Sequence, residues 1–402
     1  MVKVNSKALN KTIEVGRIIG HIEGKQPGPV NIFLGGIHGN EPAGVFALKE
    51  VLNSLSEKKV AIKGSIYAIS GNLSALEKGF RYQKQDLNRI WTADRIQALR
   101  ERKLSDDTAD EKEQIAIFDS IMEIMATHKG PFYFADLHTT SSHTIPFITL
   151  NDTMLNRRFT LNYPIPLILG IEEYLTGPVL SYINELGYVA FGFEGGQHDE
   201  KAAVTNHIAF IYVTLGLTGA IVNRTEYAFY LSKLAAATMG ITGFYEIFHR
   251  EHVVEADHFM MRPGYVNFQC IKTGSYLATS KEQKILAQEQ ARIFMPLYQK
   301  QGDDGFFLIR RIAPFFLKLS VFFRKLRLDK LLVLLPGVSW RDKKKDYLKV
   351  NLKIARFFTK PFFHLLGYRS VIHNEKYLFA HSRETASRDE EYQNTHWFNR
   401  RK

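Results

Sequence analysis

His38 and Glu41 stand three residues apart in Gly36-Ile37-His38-Gly39-Asn40-Glu41-Pro42, directly after the apolar run 30–36. An imidazole and a carboxylate at this spacing in a glycine-rich turn can both face one metal ion. Asp136 and His138 close a second apolar run, 131–138, and side chains two apart on a strand share a face. An imidazole ligand commonly leans on a carboxylate that fixes its tautomer, and Asp136 is placed to serve one of the histidines. His38, Glu41 and His138 together form a candidate metal set. Three protein ligands leave a fourth position for water, the composition of a catalytic rather than a structural zinc site. Each strand end taken alone has a plainer reading, as a turn with incidental polar residues or a structural histidine.

Two further segments carry chemistry. Arg81-Tyr82-Gln83-Lys84-Gln85-Asp86-Leu87-Asn88-Arg89 holds two arginines and an asparagine. It reads either as a solvated charged loop or as guanidinium forks that bind a carboxylate and stabilise an oxyanion. Phe193-Glu194-Gly195-Gly196 places a carboxylate at the end of an apolar strand, beside glycines that let a substrate approach the backbone. Glu194 is there either the N-cap of the next helix or, near an activated water, a general base and then acid. His143 and His198 lie close in sequence to these residues and are weaker candidates to line the same pocket.

The elements that position these residues alternate. Strands are expected at 30–36, 65–70, 131–138 and 188–194, with a helix after Pro42 and another near 201–222. Strands alternating with helices indicate an α/β sheet, and sites in such sheets form beyond the carboxyl ends of the strands. From about residue 242 short β-like runs at 243–248, 265–271 and 306–310 replace the helical period, which suggests a smaller β-rich domain. The expected domains are 1–241, 242–310 and 311–402.

Order, spacing and strand context of Gly36 to Glu41, Arg81 to Arg89, Asp136-Leu137-His138 and Glu194-Gly195 resemble the succinylglutamate desuccinylase/aspartoacylase family, part of the zinc-carboxypeptidase-like hydrolases. The resemblance covers residues 30–196. It implies an α/β fold with a zinc-carboxypeptidase-like mixed sheet flanked by helices, a small β-rich domain and, here, a basic C-terminal extension. It further implies one Zn(2+) per subunit on His38, Glu41 and His138, water activation by Glu194, carbonyl polarisation by Arg81 and carboxylate binding by Asn88 and Arg89. The implied activity is hydrolysis of an amide in a small carboxylate-bearing N-acyl amino acid. A zinc carboxypeptidase acting on peptide tails uses the same chemistry. A non-catalytic metal-bearing, membrane-associated binding protein is the alternative of another class, and it would lack a ligand or the base. The segment 181–187 before Glu194 offers no arginine or lysine for a second substrate carboxylate, and Tyr298 does not fall on the family's substrate-contacting tyrosine.

Charge is distributed unevenly over the 402 residues. Residues 307–402 hold 22 Lys/Arg against 8 Asp/Glu, which leaves 31 against 33 in 1–306, so the formal +12 belongs to the C-terminal section. A uniformly basic nucleic-acid binder is excluded as a description. The single cysteine, Cys270, excludes an intramolecular disulfide and Cys-rich zinc sites. Met1 to Glu14 has no apolar secretory core, and no apolar run reaches the roughly 18 residues of a membrane span; the expected location is cytoplasmic. Residues 312–335 interleave Phe315, Phe316, Phe322, Phe323 and Leu326 with Lys318, Arg324, Lys325 and Arg327, and 348–368 repeats the mixture with Phe357, Phe358, Phe362 and Phe363. Two uses weigh equally for 312–368: peripheral contact with an anionic membrane at its inner surface, or packing on the body or on a partner in a homo-oligomer. The segment from about Ser382 reads as a frayed polar tail.

Overall fold

Alternation along the strand Gln26–Gly35 decides how the sheet is covered. Val30, Ile32 and Leu34 enter one apolar layer and Phe33 the other. The strand Phe132–Thr140 does the same, with Phe132 and Phe134 on the first side and Tyr133, Ala135 and Leu137 on the second. A strand buried on both faces reads as a continuous apolar run, which is why these strands are visible in the sequence. The helices Ala43–Glu57 and Lys201–Thr218 cover one face. Ala93–Arg100, Ala109–Thr127 and Val179–Glu185 cover the other. The computed structural model describes every residue except 105–107, 342–346, 356–359, 373–375 and 400–402.

Among the described residues the central sheet has eleven strands, in the order Ile18–Glu23, Lys63–Ser70, Gln26–Gly35, Phe132–Thr140, Val189–Gln197, Phe147–Leu150, Pro166–Leu169, Gly243–His252, Asp304–Arg311, Ala291–Phe294 and Cys270–Ile271. Gln26–Gly35, Phe132–Thr140 and Val189–Gln197 run parallel, with Leu34 opposite Asp136 and His138 opposite Glu194. That register brings three carboxyl strand ends to one edge. Phe147–Leu150 then runs antiparallel to Val189–Gln197, with Phe147 opposite Glu194. Gly243–His252 pairs parallel with Pro166–Leu169, so the boundary expected at residue 242 falls inside one hydrogen-bonded sheet. The helical period fades there because the later strands form an antiparallel meander, Gly243–His252 with Asp304–Arg311 and Ala291–Phe294 with Asp304–Arg311. A separate three-stranded sheet joins Met260–Met261, Tyr276–Ser280 and Gln283–Leu286.

The basic C-terminal section is folded. A helix, Pro314–Lys325, precedes a four-stranded antiparallel sheet in the order Val338–Trp340, Tyr347–Asn351, Tyr377–Ser382, Tyr368–Ile372. Leu348, Val350, Phe363 and Leu366 are buried in its core, so much of 348–368 packs inward. Phe357 and Phe358 lie outside the described residues. The polar end is not frayed. Tyr392 and Trp397 are buried in the main core, where the Tyr392 hydroxyl accepts from Val189 N at 3.1 Å and Trp397 Nε1 donates to the Tyr133 hydroxyl at 3.0 Å. Tyr392 and Trp397, with Phe398 packed beside them, carry this docking within an otherwise polar segment, and composition averages them away.

A buried ion network clamps this section to the body. Asp152 faces Arg157, Arg324 and Arg383; Arg157 Nη2 and Arg324 Nη2 each lie 2.7 Å from its Oδ2. Arg324 also reaches Glu384 at 3.0 Å, and Arg383 reaches Glu172 at 2.9 Å. Burial alone would raise the Asp152 carboxyl, but the three guanidinium groups hold it well below the usual carboxylate range. Its folded pKa is thus below the unfolded value of about 3.9, and its contribution is complete above that value and lost as pH falls through the folded pKa. Asp152→Asn should cost about 3–5 kcal/mol in urea unfolding at neutral pH, because buried guanidinium charge is left unpaired. The gap from wild type should narrow as unfolding is measured below about pH 4.

Candidate metal centre

The turn after Gln26–Gly35 can form because Gly36 adopts a positive φ of 74°. A Cβ on Gly39 would collide with the Ala75 carbonyl, so only glycine allows the turn to lie against the next helix. The turn delivers His38 and Glu41, which are 3% and 2% exposed. His138 arrives from the neighbouring strand end. His38 Nδ1 lies 2.9 Å from Glu41 Oε1, and His138 Nδ1 lies 3.1 Å from Glu41 Oε2. The backbone N–H of Thr139 also donates to Glu41 Oε2 at 3.0 Å. One donor atom from each of the three residues lies within 4.8 Å of the others.

The far nitrogens are held by carboxylates. His138 Nε2 lies 2.7 Å from Asp136 Oδ2, and His38 Nε2 lies 3.0 Å from Asp86 Oδ1. Nε2–H must donate in each pair, which leaves both Nδ1 lone pairs aimed at a carboxylate that is itself an acceptor. Three acceptors converging in a buried site require a proton or a cation between them. Burial alone would lower His138, but Asp136 and Glu41 carry it well above the ordinary imidazole value. Burial would raise Glu41, but His38 and His138 pull it well below the carboxylate range. A divalent cation in place of the shared proton satisfies all three, and a His, Glu, His donor set with carboxylate-backed imidazoles suits such an ion.

Arg81 and Glu194 flank this group. Arg81 Nη1 lies 3.2 Å from Glu41 Oε1, and its Nη2 lies 3.1 Å from Asp86 Oδ2. Glu194 is 6% exposed and its Oε2 has no hydrogen-bond partner among the described residues. Burial pushes its carboxyl up to about 8; Glu41 and Asp136 add to the rise, while His138 and Arg81 oppose it. Glu200, not Glu194, is the N-cap of the helix Lys201–Thr218. The glycine after Glu194 serves packing: a Cβ on Gly195 would strike the His207 ring and crowd the Ala203 carbonyl. Asn88 Oδ1 accepts from Val179 N at 3.0 Å, and its Nδ2 lies 3.5 Å from His138 Nε2. Arg89 Nη2 lies 3.3 Å from Asp304 Oδ2. His38, Glu41, His138, Glu194, Arg81, Asn88 and Arg89 all line one cleft; Asp136 stands behind His138.

The two weaker histidines part ways. His198 lines the cleft, with Nδ1 2.7 Å from the Thr139 hydroxyl and Nε2 3.1 Å from Gln299 Oε1. His143 is exposed and pairs with Glu200 at 2.7 Å. Tyr298 bonds to the backbone of Tyr265 and Arg262, while its neighbours Leu297 and Gln299 line the cleft.

Sequence reasoning missed three contributors. Asp86 carries His38, Arg81 and the N–H of Asn88 on one carboxylate; its signal is that it is the only acid in 81–89. Asp110, fully buried, accepts the N–H groups of Lys84 at 2.7 Å and Gln85 at 3.0 Å, which ties the loop to the start of the helix Ala109–Thr127. Gln299 bridges Asn40 and His198 from a segment more than 100 residues away. No local pattern marks these last two.

A mixed sheet with a buried, carboxylate-backed His, Glu, His group at the carboxyl ends of its parallel strands defines an α/β protein with a candidate metal centre. Residues 27–173 match the succinylglutamate desuccinylase/aspartoacylase catalytic domain, and this part of the chain is similar to that family. A succinylglutamate desuccinylase of Photorhabdus laumondii is 37% identical over 75 residues, 19% of this chain and 22% of that protein. One of Pseudomonas putida is 36% identical over 56 residues, 14% of this chain and 17% of that protein. These matches span about a fifth of the curated relatives' length. A solved succinylglutamate desuccinylase/aspartoacylase from Rhodobacter sphaeroides has the same fold, with a TM-score of 0.54 at 16% identity over 73% of this chain and 88% of that one. An aspartoacylase family protein from Mesorhizobium loti gives 0.51 at 16% identity, over 73% and 88%.

Asp86→Asn removes the acceptor behind His38. Metal affinity, measured by competition with a chelator, should fall about 10–100-fold; unchanged affinity would remove Asp86 from the centre.

Proposed function

We propose that this chain is a zinc-dependent amidohydrolase that cleaves the amide of an N-acyl amino acid bearing a single carboxylate. The observation that carries the reading is the unpartnered, buried Glu194 carboxyl beside the converging donors of His38, Glu41 and His138. A Zn(2+) on those three residues would supply Lewis acidity toward the amide carbonyl and acidify a water. Glu194 takes a proton from the attacking water, holds it on Oε2 and gives it to the leaving amine. A carboxyl pushed up to about 8 by burial suits both roles; a cation nearby would draw it back toward neutrality. Arg81 donates to the oxyanion that develops on the carbonyl oxygen. Arg89 and the Asn88 amide hold the substrate carboxylate. Asp304, which Arg89 then releases, keeps Arg250 as its partner.

The cleft accepts one carboxylate. Among the described residues its only lysine or arginine side chains are Arg81 and Arg89, and Glu172 and Asp304 line the remainder together with Ile171, Leu175, Leu180, Phe191, Met295 and Phe307. A second carboxylate would meet acids and hydrocarbon. The acyl group is therefore uncharged, in contrast to the succinyl group in the names of the curated relatives. The segment around Gln299 lines the cleft and is bonded to Asn40 and His198, an added wall that favours a small substrate over a peptide tail.

Glu194→Gln should lose at least about a hundredfold in hydrolysis, and Arg81→Ala about 10²–10³ in kcat, both with stoichiometric metal by elemental analysis. Wild-type turnover in either variant would overturn its role. In an N-acyl amino acid series, kcat/KM for uncharged acyl groups should exceed that for dicarboxylic ones by about tenfold or more; the reverse order would reject the single-carboxylate assignment.

A further inference from the structure

The helix Pro314–Lys325 is oriented against the ordinary rule. At 100° per residue, Phe315, Leu319, Phe322 and Leu326 fall within an arc of about 60°. Phe315, Phe322 and Leu326 on that arc are exposed, Phe315 by 65%. The side turned to the protein carries Ser320 and Arg324, both buried. Arg324 is fixed there by Asp152, Glu384 and the His364 carbonyl, and Ser320 by the Leu365 carbonyl at 2.9 Å. Leu317 and Phe323 pack on the flanks, one against each core. The helix cannot roll its aromatics inward without stripping a buried arginine of its acids, so their exposure is imposed by the fold.

The same surface continues into the turn Leu328–Leu334, where Leu332 is buried in the C-terminal core while Leu331 and Leu334 are exposed, the latter by 77%. Cations border it. Lys318, Lys325, Arg327 and Lys330 are exposed and none pairs with an acid among the described residues. Segment 311–341 holds seven Lys/Arg and a single acid, Asp329. Arg311, also exposed, lines a second cavity at the foot of the helix beside Phe316 and Leu317. No helix among the described residues is long and apolar enough to cross a membrane, and twelve residues extend only about 18 Å.

We propose that the exposed face of Pro314–Lys325 and Leu328–Leu334 docks flat on an anionic lipid surface, with its aromatic and leucine side chains in the acyl boundary and its lysines and arginines at the headgroups. An apolar strip with a cationic border and almost no acid is complementary to such a surface. A second copy of the chain is a poorer occupant, since its identical face would bring the same cations together. Of the 312–368 region suggested by composition, this leaves about 315–335 as the contact; 348–368 supplies core residues. The loop 170–172 separates the second cavity from the substrate cleft: Gly170 lines one, Ile171 and Glu172 the other. Docking would therefore hold the cleft near the lipid.

The test is co-sedimentation of the full chain with vesicles of phosphatidylglycerol and phosphatidylcholine, or of phosphatidylcholine alone, across a salt series. Binding should favour the anionic vesicles by at least about tenfold and weaken with salt. Phe322→Ser with Leu326→Ser, and separately Lys325→Glu with Lys330→Glu, should each lose at least about tenfold while keeping wild-type melting and hydrolysis, since all four side chains point away from the core. Failure of wild type to bind either vesicle would overturn the proposal, as would wild-type binding by both variants. A wild-type dimer dissolved to monomer by Phe322→Ser with Leu326→Ser would assign the face to self-association instead.

Discussion

Glu41 sits between the Nδ1 atoms of His38 and His138, each imidazole backed by a further carboxylate. Buried acceptors that face one another are stable only with positive charge among them, and the geometry around this point follows from that requirement. The parallel register places two strand ends side by side. The glycine turn lets His38 and Glu41 fold back over the sheet edge. Asp86 and Asp136 keep both ring orientations, and Arg81 joins Glu41 to Asp86. The hydrolysis proposed here needs a base near such a centre but outside it, and Glu194 stands one strand further along, with its Oε2 unpartnered among the described residues.

The selectivity proposed for the cleft arises from what it lacks as much as from what it holds. Two arginines are set against several acids, and one of those arginines is already shared with Asp304. The later strands are part of this arrangement. They extend the same sheet, and the segment between Ala291–Phe294 and Asp304–Arg311 supplies Leu297 and Gln299 to the lining of the cleft. The region that composition separates as a β-rich domain thus completes the cleft.

The C-terminal section shows how a buried polar cluster dictates an exposed apolar face. Asp152 collects three arginines, and Arg324, drawn in from the helix Pro314–Lys325, turns that helix so that phenylalanines face outward. The net charge of this section is therefore divided: part is neutralised inside the network, and part borders the apolar strip.

Local pattern was sufficient for much of this protein. The strands at 30–36, 65–70, 131–138 and 188–194 are visible because both faces are buried, which writes an uninterrupted apolar run. His38, Glu41, His138, Arg81 and Glu194 are visible because strand ends and glycine turns mark the sheet edge where chemistry collects. Asp86 was in view without a role, since an acid between arginines looks the same whether it is solvated or holds a histidine. Asp110 and Gln299 were invisible: their partners are distant in sequence, and nothing local distinguishes a loop anchor from a helix start or a surface glutamine. The docking of Trp397 and the inverted helix were hidden for the same reason. Composition and period describe what a segment would bury by itself, whereas Tyr133 and Asp152 decided what these segments do bury. The sequence by itself determined the strand order of chemistry and the donor set. Only the tertiary structure decided which acids stand behind the histidines, which distant residues line the cleft and which way the C-terminal helix faces, because each depends on polar groups brought together from remote parts of the chain.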